Sequence, residues 1–517
     1  MGRLKLVGAV VGAVVVMIGC APSVAQGLYR EYSDVVTSFD DTKLVVHFTP
    51  ATRLALGETA PTVLVASPWS MPSLPGVTPS FEYLGDLGLP VLGPSSLAQA
   101  GYNVVTWDNR GFGSSGGQVD VANPDISGRD VVAIVSWLAS QPPALLDSAG
   151  DPRVAILGTS YGAGISVAGT IQDHRIDASI PNMGWNSLID SVYPQQVVKS
   201  GWGSILCGTG DLMAPFFDAI GSPAGPFPAD RYSPGLRSIC NVLNIGVAAP
   251  QDLVFGREAS PGERVRSITT PTLVMSGTAD TLFPLAGAVK NYQLLKSAAT
   301  PVKMVWYCGG HGVCSWDKGT PGHVIDVQMQ FLERYLRHED VDTGPEFEWI
   351  DQTGVWHSAP SFPLPGIEQQ TVSTGHGRLG ISPFNTSGLF IASGEAANAV
   401  NVEITDPASA LQVTSSPVLR VTYVGTADRT HTPLFAQILD RSTGQVAGKQ
   451  ITPFQVILDG QRHTVEVPLE MVSLAWSARH HLTLQITDAS NLYYRQEASG
   501  SVNLEAIEVR LTGTSSN

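Results

Sequence analysis

Residues 153–164, Arg-Val-Ala-Ile-Leu-Gly-Thr-Ser-Tyr-Gly-Ala-Gly, constrain this chain more than any other stretch. Val154 to Leu157 form an unbroken apolar run, the pattern of a short strand buried on both faces. Gly158-Thr159-Ser160-Tyr161-Gly162 follows, a G-x-S-x-G pattern, and Ala163-Gly164 open a helix of small residues. A serine on a tight strand-to-helix turn has a strained backbone and presents its Oγ at the sheet edge. Such a turn has no room for Cβ atoms on either side, which accounts for glycine at 158 and 162. The helix start turns its free N–H groups toward the same point, where charge developing on an oxygen is stabilised. The pattern alone recurs by chance. Its weight here comes from the flanking strand and helix and from two partners downstream.

The surroundings repeat the same alternation. Thr62–Ala66, Tyr102–Trp107, a strand near Ala178-Ser179-Ile180, Thr272–Ser276 and Val302–Tyr307 read as buried strands. Helical patterns at 128–140, 286–298 and 322–337 lie between or after them. Continuous apolar strands separated by helices predict a mostly parallel sheet covered on both faces. Ahead of it, residues 27–50 alternate polar and apolar and predict two antiparallel strands joined at Asp40-Asp41. Residues 182–268 interrupt the alternation with Trp185, Trp202 and many Pro and Gly, and predict a helical cap inserted between two sheet strands. A polar linker, His338 to Asp342, then separates a segment from about 346 onward in which short alternating strands dominate. That segment predicts a β-sandwich of jelly-roll type. The expected layout is a leader over 1–25, an α/β domain over 27–340 with its cap at about 182–268, and a sandwich over 346–517.

In a parallel sheet of this kind the partners of the nucleophile follow in the order acid, then base. Asp280 sits just after the strand ending at Ser276, and His311 sits in the loop after the next strand, within Cys308-Gly309-Gly310-His311-Gly312-Val313-Cys314. Ser160 is the expected nucleophile, His311 the general base and Asp280 the residue that fixes the imidazole. His323 competes as base but falls inside the following helix. The Tyr161 backbone N–H is the first expected oxyanion donor, and the loop after Thr62–Ala66 brings Trp69 near as the source of a second. Asp108-Asn109-Arg110-Gly111 and the glycines after it lack a P-loop lysine and an immediate helix, so they read as a structural loop. No His/Glu cluster has metal-ligand spacing, so no metal and no cofactor is expected.

Of 517 residues 43% are hydrophobic, enough for more than one core, and the formal net charge is −15. That acidity argues against nucleic acid as a partner. Arg3 and Lys5 precede an apolar run from Leu6 to Ile18, too short for a membrane span of about 20 residues and suited to a signal peptide. Met17-Ile18-Gly19-Cys20 resembles a lipobox, in which Cys20 carries the lipid; the alternative is plain secretion with cleavage after Ser23-Val24-Ala25. Either way the chain is expected outside the cytoplasm, with the membrane involved only through such an anchor. The remaining cysteines, Cys207, Cys240, Cys308 and Cys314, allow three pairings. Cys207–Cys240 and Cys308–Cys314 are the favoured ones.

These residues resemble the α/β-hydrolase family of X-prolyl dipeptidyl peptidases and cocaine-esterase-like acyl hydrolases. The likeness rests on Ser67-Pro68-Trp69, on Tyr102-Asn103-Val104-Val105 leading into Asp108-Asn109-Arg110-Gly111, on the Ser160 turn, Asp280 and His311, and on Pro433-Leu434-Phe435-Ala436-Gln437 in the C-terminal segment. It covers nearly all of 30–515 and implies a serine hydrolase acting on a small peptide or ester. In that family a tyrosine hydroxyl often serves as second oxyanion donor; Trp69 occupies the matching position, so its indole or its backbone N–H has to substitute. The peptidases of the family also hold a free substrate amine with carboxylates, for which Asp190, Asp211, Asp218 and Asp230 are the candidates. Peptidase and esterase remain open, beside a reading from another class: a surface lipoprotein whose sandwich binds a partner and whose hydrolase domain is vestigial.

Overall fold

Apolar strands with no polar face fold together only where helices cover both sides, and the chain follows that rule. The computed structural model describes residues 27–71, 73, 92–207, 231–315 and 319–515. The expected leader, including Cys20, and Asp211, Asp218 and Asp230 lie outside the described residues.

Among the described residues, ten strands form one sheet: β1 (Tyr32–Thr37), β2 (Lys43–Thr49), β3 (Thr62–Ala66), β4 (Asn103–Trp107), β5 (Val154–Thr159), β6 (Ile176–Asn182), β7 (Thr272–Gly277), β8 (Val302–Tyr307), β9 (Phe347–Ile350) and β10 (Trp356–Ala359). Their order is β1-β2-β4-β3-β5-β6-β7-β8-β9-β10. Neighbours from β4 to β9 run parallel, while β1–β2, β2–β4 and β9–β10 are antiparallel. Every residue of β3, β4, β5 and β7 is buried. Helices Ser127–Leu138, Tyr161–Gln172, Leu285–Ser297 and His323–Tyr335 provide the cover. Because β5 lies between β3 and β6, its C-terminal end sits mid-sheet, flanked by the loops that follow β3, β6 and β7.

The boundary expected at 346 falls later. β9 pairs in parallel with β8, and β10 closes that edge of the first sheet. Phe347 and Trp349 alternate as a sandwich strand would. The Phe347 ring instead packs edge-on to Trp306 of β8, 4.9 Å between centroids. The second domain starts with the strand Ile367–Ile381, which pairs antiparallel with Gly500–Ser515. The strand Val418–Asp440 pairs with Thr452–Pro468, Leu482–Thr487 and Gly500–Ser515, antiparallel in each case. This all-antiparallel domain buries its own core, including Leu419, Val421, Val456, Leu484 and Leu504. Among the described residues no helix is long and apolar enough to cross a membrane.

Between β6 and β7 the chain leaves the sheet and forms the helices Leu188–Val192, Ser200–Cys207, Pro234–Ile245 and Pro250–Glu258. A disulfide between Cys207 and Cys240 ties the second of these to the third, with Cα atoms 5.5 Å apart. The Asp108–Gly113 loop is tied down by bonds to the segments around it, as a structural loop should be. Asp108 accepts from the Ser73 and Ser114 N–H groups at 2.7 Å each, and buried Arg110 spans Asp40 and Asp130 at 2.6 Å each.

Candidate active site

The turn after β5 has the strain its sequence predicts. Ser160 adopts φ 58° and ψ −117°, a conformation sparsely populated for any residue with a Cβ. A Cβ on Gly162 would lie 2.1 Å from the Ala66 carbonyl oxygen, and one on Gly158 would lie 2.3 Å from that of Gly162. The turn therefore needs glycine on both sides of the serine to pack against the end of β3. Tyr161 opens the helix Tyr161–Gln172, so its N–H has no intrahelical acceptor and points out of the helix start beside Ser160.

Asp280 and His311 converge on that serine. His311 Nε2 lies 2.7 Å from Ser160 Oγ, and His311 Nδ1 lies 2.7 Å from Asp280 Oδ2. Asp280 is fully buried, and its other oxygen, Oδ1, accepts the N–H groups of Leu282 (3.0 Å) and Phe283 (2.8 Å). With both carboxylate oxygens committed, the imidazole has one orientation available. Edge-on rings reinforce it, Trp202 at 5.6 Å and Phe283 at 5.2 Å between centroids. His323 is not part of this arrangement: its Nε2 pairs with Glu348 at 2.8 Å, beyond the base loop.

The base loop approaches the acid loop at van der Waals contact. Gly310 has φ +110°, and a Cβ there would sit 2.5 Å from the Asp280 Cβ. The Cys308–Cys314 disulfide closes the same loop, with Cα atoms 5.4 Å apart. Both cysteine pairings favoured from the sequence are present.

Trp69 is placed differently from its expected role as an indole donor. Its Nε1–H donates to the Leu206 carbonyl at 3.1 Å, and its ring packs edge-on against Tyr161 and Phe112. The indole is a wall of the cleft fastened to the cap by this bond. Ser160 opens into a cleft with about 720 Å³ of atom-free space, counting its mouth, walled by Trp69, Trp185, Leu188, Trp202, Leu206 and Phe255. Among the described lining residues there is no carboxylate. Asp190 lines a separate cavity with Lys290 and Glu470. Burial pushes the Tyr161 and Tyr307 hydroxyls well above the usual phenol range. Among the described residues no group of three His, Cys, Asp or Glu is arranged to hold a metal ion.

Several residues that shape the site have no signature in the sequence. Lys199 Nζ donates to the Thr281 carbonyl at 2.9 Å, Trp202 Nε1 to Thr281 Oγ1 at 3.0 Å, and Gln450 Nε2 to the Asp280 carbonyl at 2.6 Å. Gln450 belongs to the antiparallel domain, 170 residues further along the chain. A lysine after Val197-Val198 is a faint signal of a buried cation, and nothing in the sequence marks Gln450.

Comparison with known proteins agrees with this geometry. A family model described as X-Pro dipeptidyl-peptidase (S15 family) matches residues 40–313. Solved structures similar to the chain include an aminopeptidase from the marine sediment archaeon Thaumarchaeota archaeon, at 14% identity and TM-score 0.68, covering 97% of this chain and 99% of that one. An alpha-amino acid ester hydrolase matches at 11% identity and TM-score 0.68, covering 98% and 100%. A CocE/NonD family hydrolase from Staphylococcus aureus matches at 14% identity and TM-score 0.63, covering 96% and 97%. At such identities the likeness is one of fold, over both domains. A curated relative, an uncharacterized 31.7 kDa protein in the traX-finO intergenic region of Escherichia coli, is 25% identical over 91 residues, 18% of this chain; the match spans 30% of that relative's length.

Proposed function

The chain belongs to the X-Pro dipeptidyl-peptidase (S15) family, and from that premise we propose that it is an exported serine hydrolase that cleaves peptide or ester bonds through an acyl-enzyme on Ser160. The observation that carries the reading is His311 held between Asp280 and Ser160 at 2.7 Å on both sides. In this reading Ser160 Oγ attacks the substrate carbonyl while His311 Nε2 takes its proton. The Tyr161 N–H and the Trp69 backbone N–H receive the oxyanion. His311 then protonates the leaving group, and Asp280 stabilises the imidazolium throughout. Water enters by the same route and His311 activates it, releasing the acid and restoring Ser160.

The cleft narrows the substrate. Apart from Ser160 and the buried Lys199, its described walls are apolar and aromatic, and they carry no carboxylate to receive a free amine. That supports a neutral apolar acyl group, the esterase side of the family. The family's name supports a second reading, removal of an X-Pro dipeptide, for which the amine clamp has to come from outside the described lining residues. Two disulfides support folding in an oxidising compartment. Anchoring through a lipid on Cys20 remains part of the proposal, beside plain secretion.

Turnover of short acyl esters beside Ala-Pro and Gly-Pro anilides tests this reading. The expected result is a kcat/KM for neutral esters at least ten times that for the anilides, about 1.4 kcal/mol of discrimination. A preference for the anilides selects the dipeptidyl-peptidase reading. Absence of turnover on both classes, with no reaction of Ser160 toward a fluorophosphonate, selects a binding lipoprotein instead.

A further inference from the structure

Lys199 is a buried lysine on the wall of the Ser160 cleft. It is 1% exposed and sits where the chain enters the cap helix Ser200–Cys207. Its Nζ donates to the Thr281 carbonyl at 2.9 Å and reaches the Leu282 carbonyl at 3.4 Å. Those carbonyls belong to two successive peptide groups, 281–282 and 282–283. The N–H ends of the same two groups, on Leu282 and Phe283, donate to Asp280 Oδ1 at 3.0 and 2.8 Å. Each peptide group therefore has an ammonium at its oxygen and a carboxylate at its nitrogen. A cation on a peptide oxygen draws electron density toward it and makes the N–H at the other end a stronger donor. Asp280 has no exposure of its own, so its hydrogen-bond partners must come from the protein, as these two N–H groups do.

We propose that Lys199 is a positioning residue for the hydrolytic reaction: acting through these two peptide groups, it keeps the Asp280 carboxylate fixed and aimed at His311 Nδ1. The proposal rests on the Ser160–His311–Asp280 reading. Other charged groups bear on Lys199. Burial pushes its ammonium below the ordinary range, while Glu470 and then Asp280 favour its charged form. Burial pushes the Glu470 carboxyl up against the opposing pull of Lys199, and Asp190 adds to the rise.

Three variants of the intact protein separate charge from packing. Lys199→Gln keeps an N–H donor of similar reach without the charge, Lys199→Met keeps neither, and Lys199→Arg keeps the charge. The rate on a neutral acyl ester is followed from acid to alkaline pH. Removing a positive charge near a carboxylate–imidazole pair favours its protonated form, so the acidic limb of kcat moves to higher pH. The expected shift is about one pH unit for the Gln and Met variants. Well below the limb their kcat falls about tenfold, and near neutrality about threefold, with KM little changed. The Arg variant keeps the original limb. A folded Gln variant with the original limb overturns the inference. So does a loss confined to KM, which would make Lys199 a substrate contact. Failure of both neutral variants to fold also overturns it, leaving Lys199 a role in stability alone. Labelling of the wild-type protein by a fluorophosphonate separates the two levels: no adduct on Ser160 defeats the reading of the site itself, whereas an adduct with an unmoved limb defeats only the role given to Lys199.

Discussion

The acid loop and the base loop carry neighbouring side chains, yet they are held by different means. The acid loop, 278–284, is gripped from outside. Lys199 and Trp202 reach it from the cap, and Gln450 reaches it from the antiparallel domain. Thr281 Oγ1 in turn donates to the Ile391 carbonyl at 2.6 Å. The base loop, 308–314, is held by its own chemistry: a disulfide across its ends and glycines that let it lie on the acid loop. A carboxylate that must stay buried and charged needs many polar partners, and the sheet edge does not supply enough of them. A histidine that must exchange protons needs fewer partners and a fixed reach. The second domain thus contributes to the site through the acid loop.

The largest expected effect tests whether the two loops act as one unit. Asp280→Asn and His311→Ala should each lower kcat by about 10⁴ or more, and the double variant should be little worse than the worse single one. Losses that multiply in steady-state kinetics would mean that the loops act separately. Next in size is the contact between them. Gly310→Val forces a side chain into the Asp280 backbone, and a base displaced by about 1 Å should cost about 100-fold in kcat. Gly380→Ala, at a glycine with open space around it, serves as the control and should change nothing measurable.

The outside grip on the acid loop is broken by Gln450→Leu. The Asp280 carbonyl then loses its partner in a buried setting. Denaturant unfolding should show a loss of about 1–3 kcal/mol, with a smaller loss of kcat than in the Gly310 variant. An unchanged unfolding midpoint would mean that the antiparallel domain merely rests against the loop. The smallest effect is expected at the base loop. Opening the Cys308–Cys314 link by reduction, or by Cys308→Ser with Cys314→Ser, frees a short loop that the chain-entropy model values at about 2–3 kcal/mol. Turnover should fall a few-fold. Undiminished turnover in protein whose thiols have become reactive would show that glycine packing alone holds His311.

The parts legible in the sequence were those written locally. The parallel strands were continuous apolar runs, and the Ser160 turn demanded glycine at fixed offsets. Asp280 and His311 lay in loops at successive strand ends, where topology alone brings them to one edge. The pairing of Cys308 with Cys314 followed from proximity along the chain. What escaped depended on contacts between distant segments. The indole of Trp69 matched a donor position by alignment of pattern, but its orientation was set by the Leu206 carbonyl on the cap. β9 and β10 alternate like sandwich strands, and only the packing of Phe347 on Trp306 assigns them to the first sheet. Lys199 and Gln450 bond main-chain carbonyls, which every residue possesses, so no side-chain pattern announces their partners.

The central claim is that Ser160 is made nucleophilic by His311. Reaction with a fluorophosphonate, read by mass spectrometry of the digested protein, tests it most directly. One adduct should appear on Ser160 in the wild-type chain, be absent in Ser160→Ala, and form at a greatly reduced rate in His311→Ala. An adduct on another serine, or none at all in folded wild-type protein, would contradict the account.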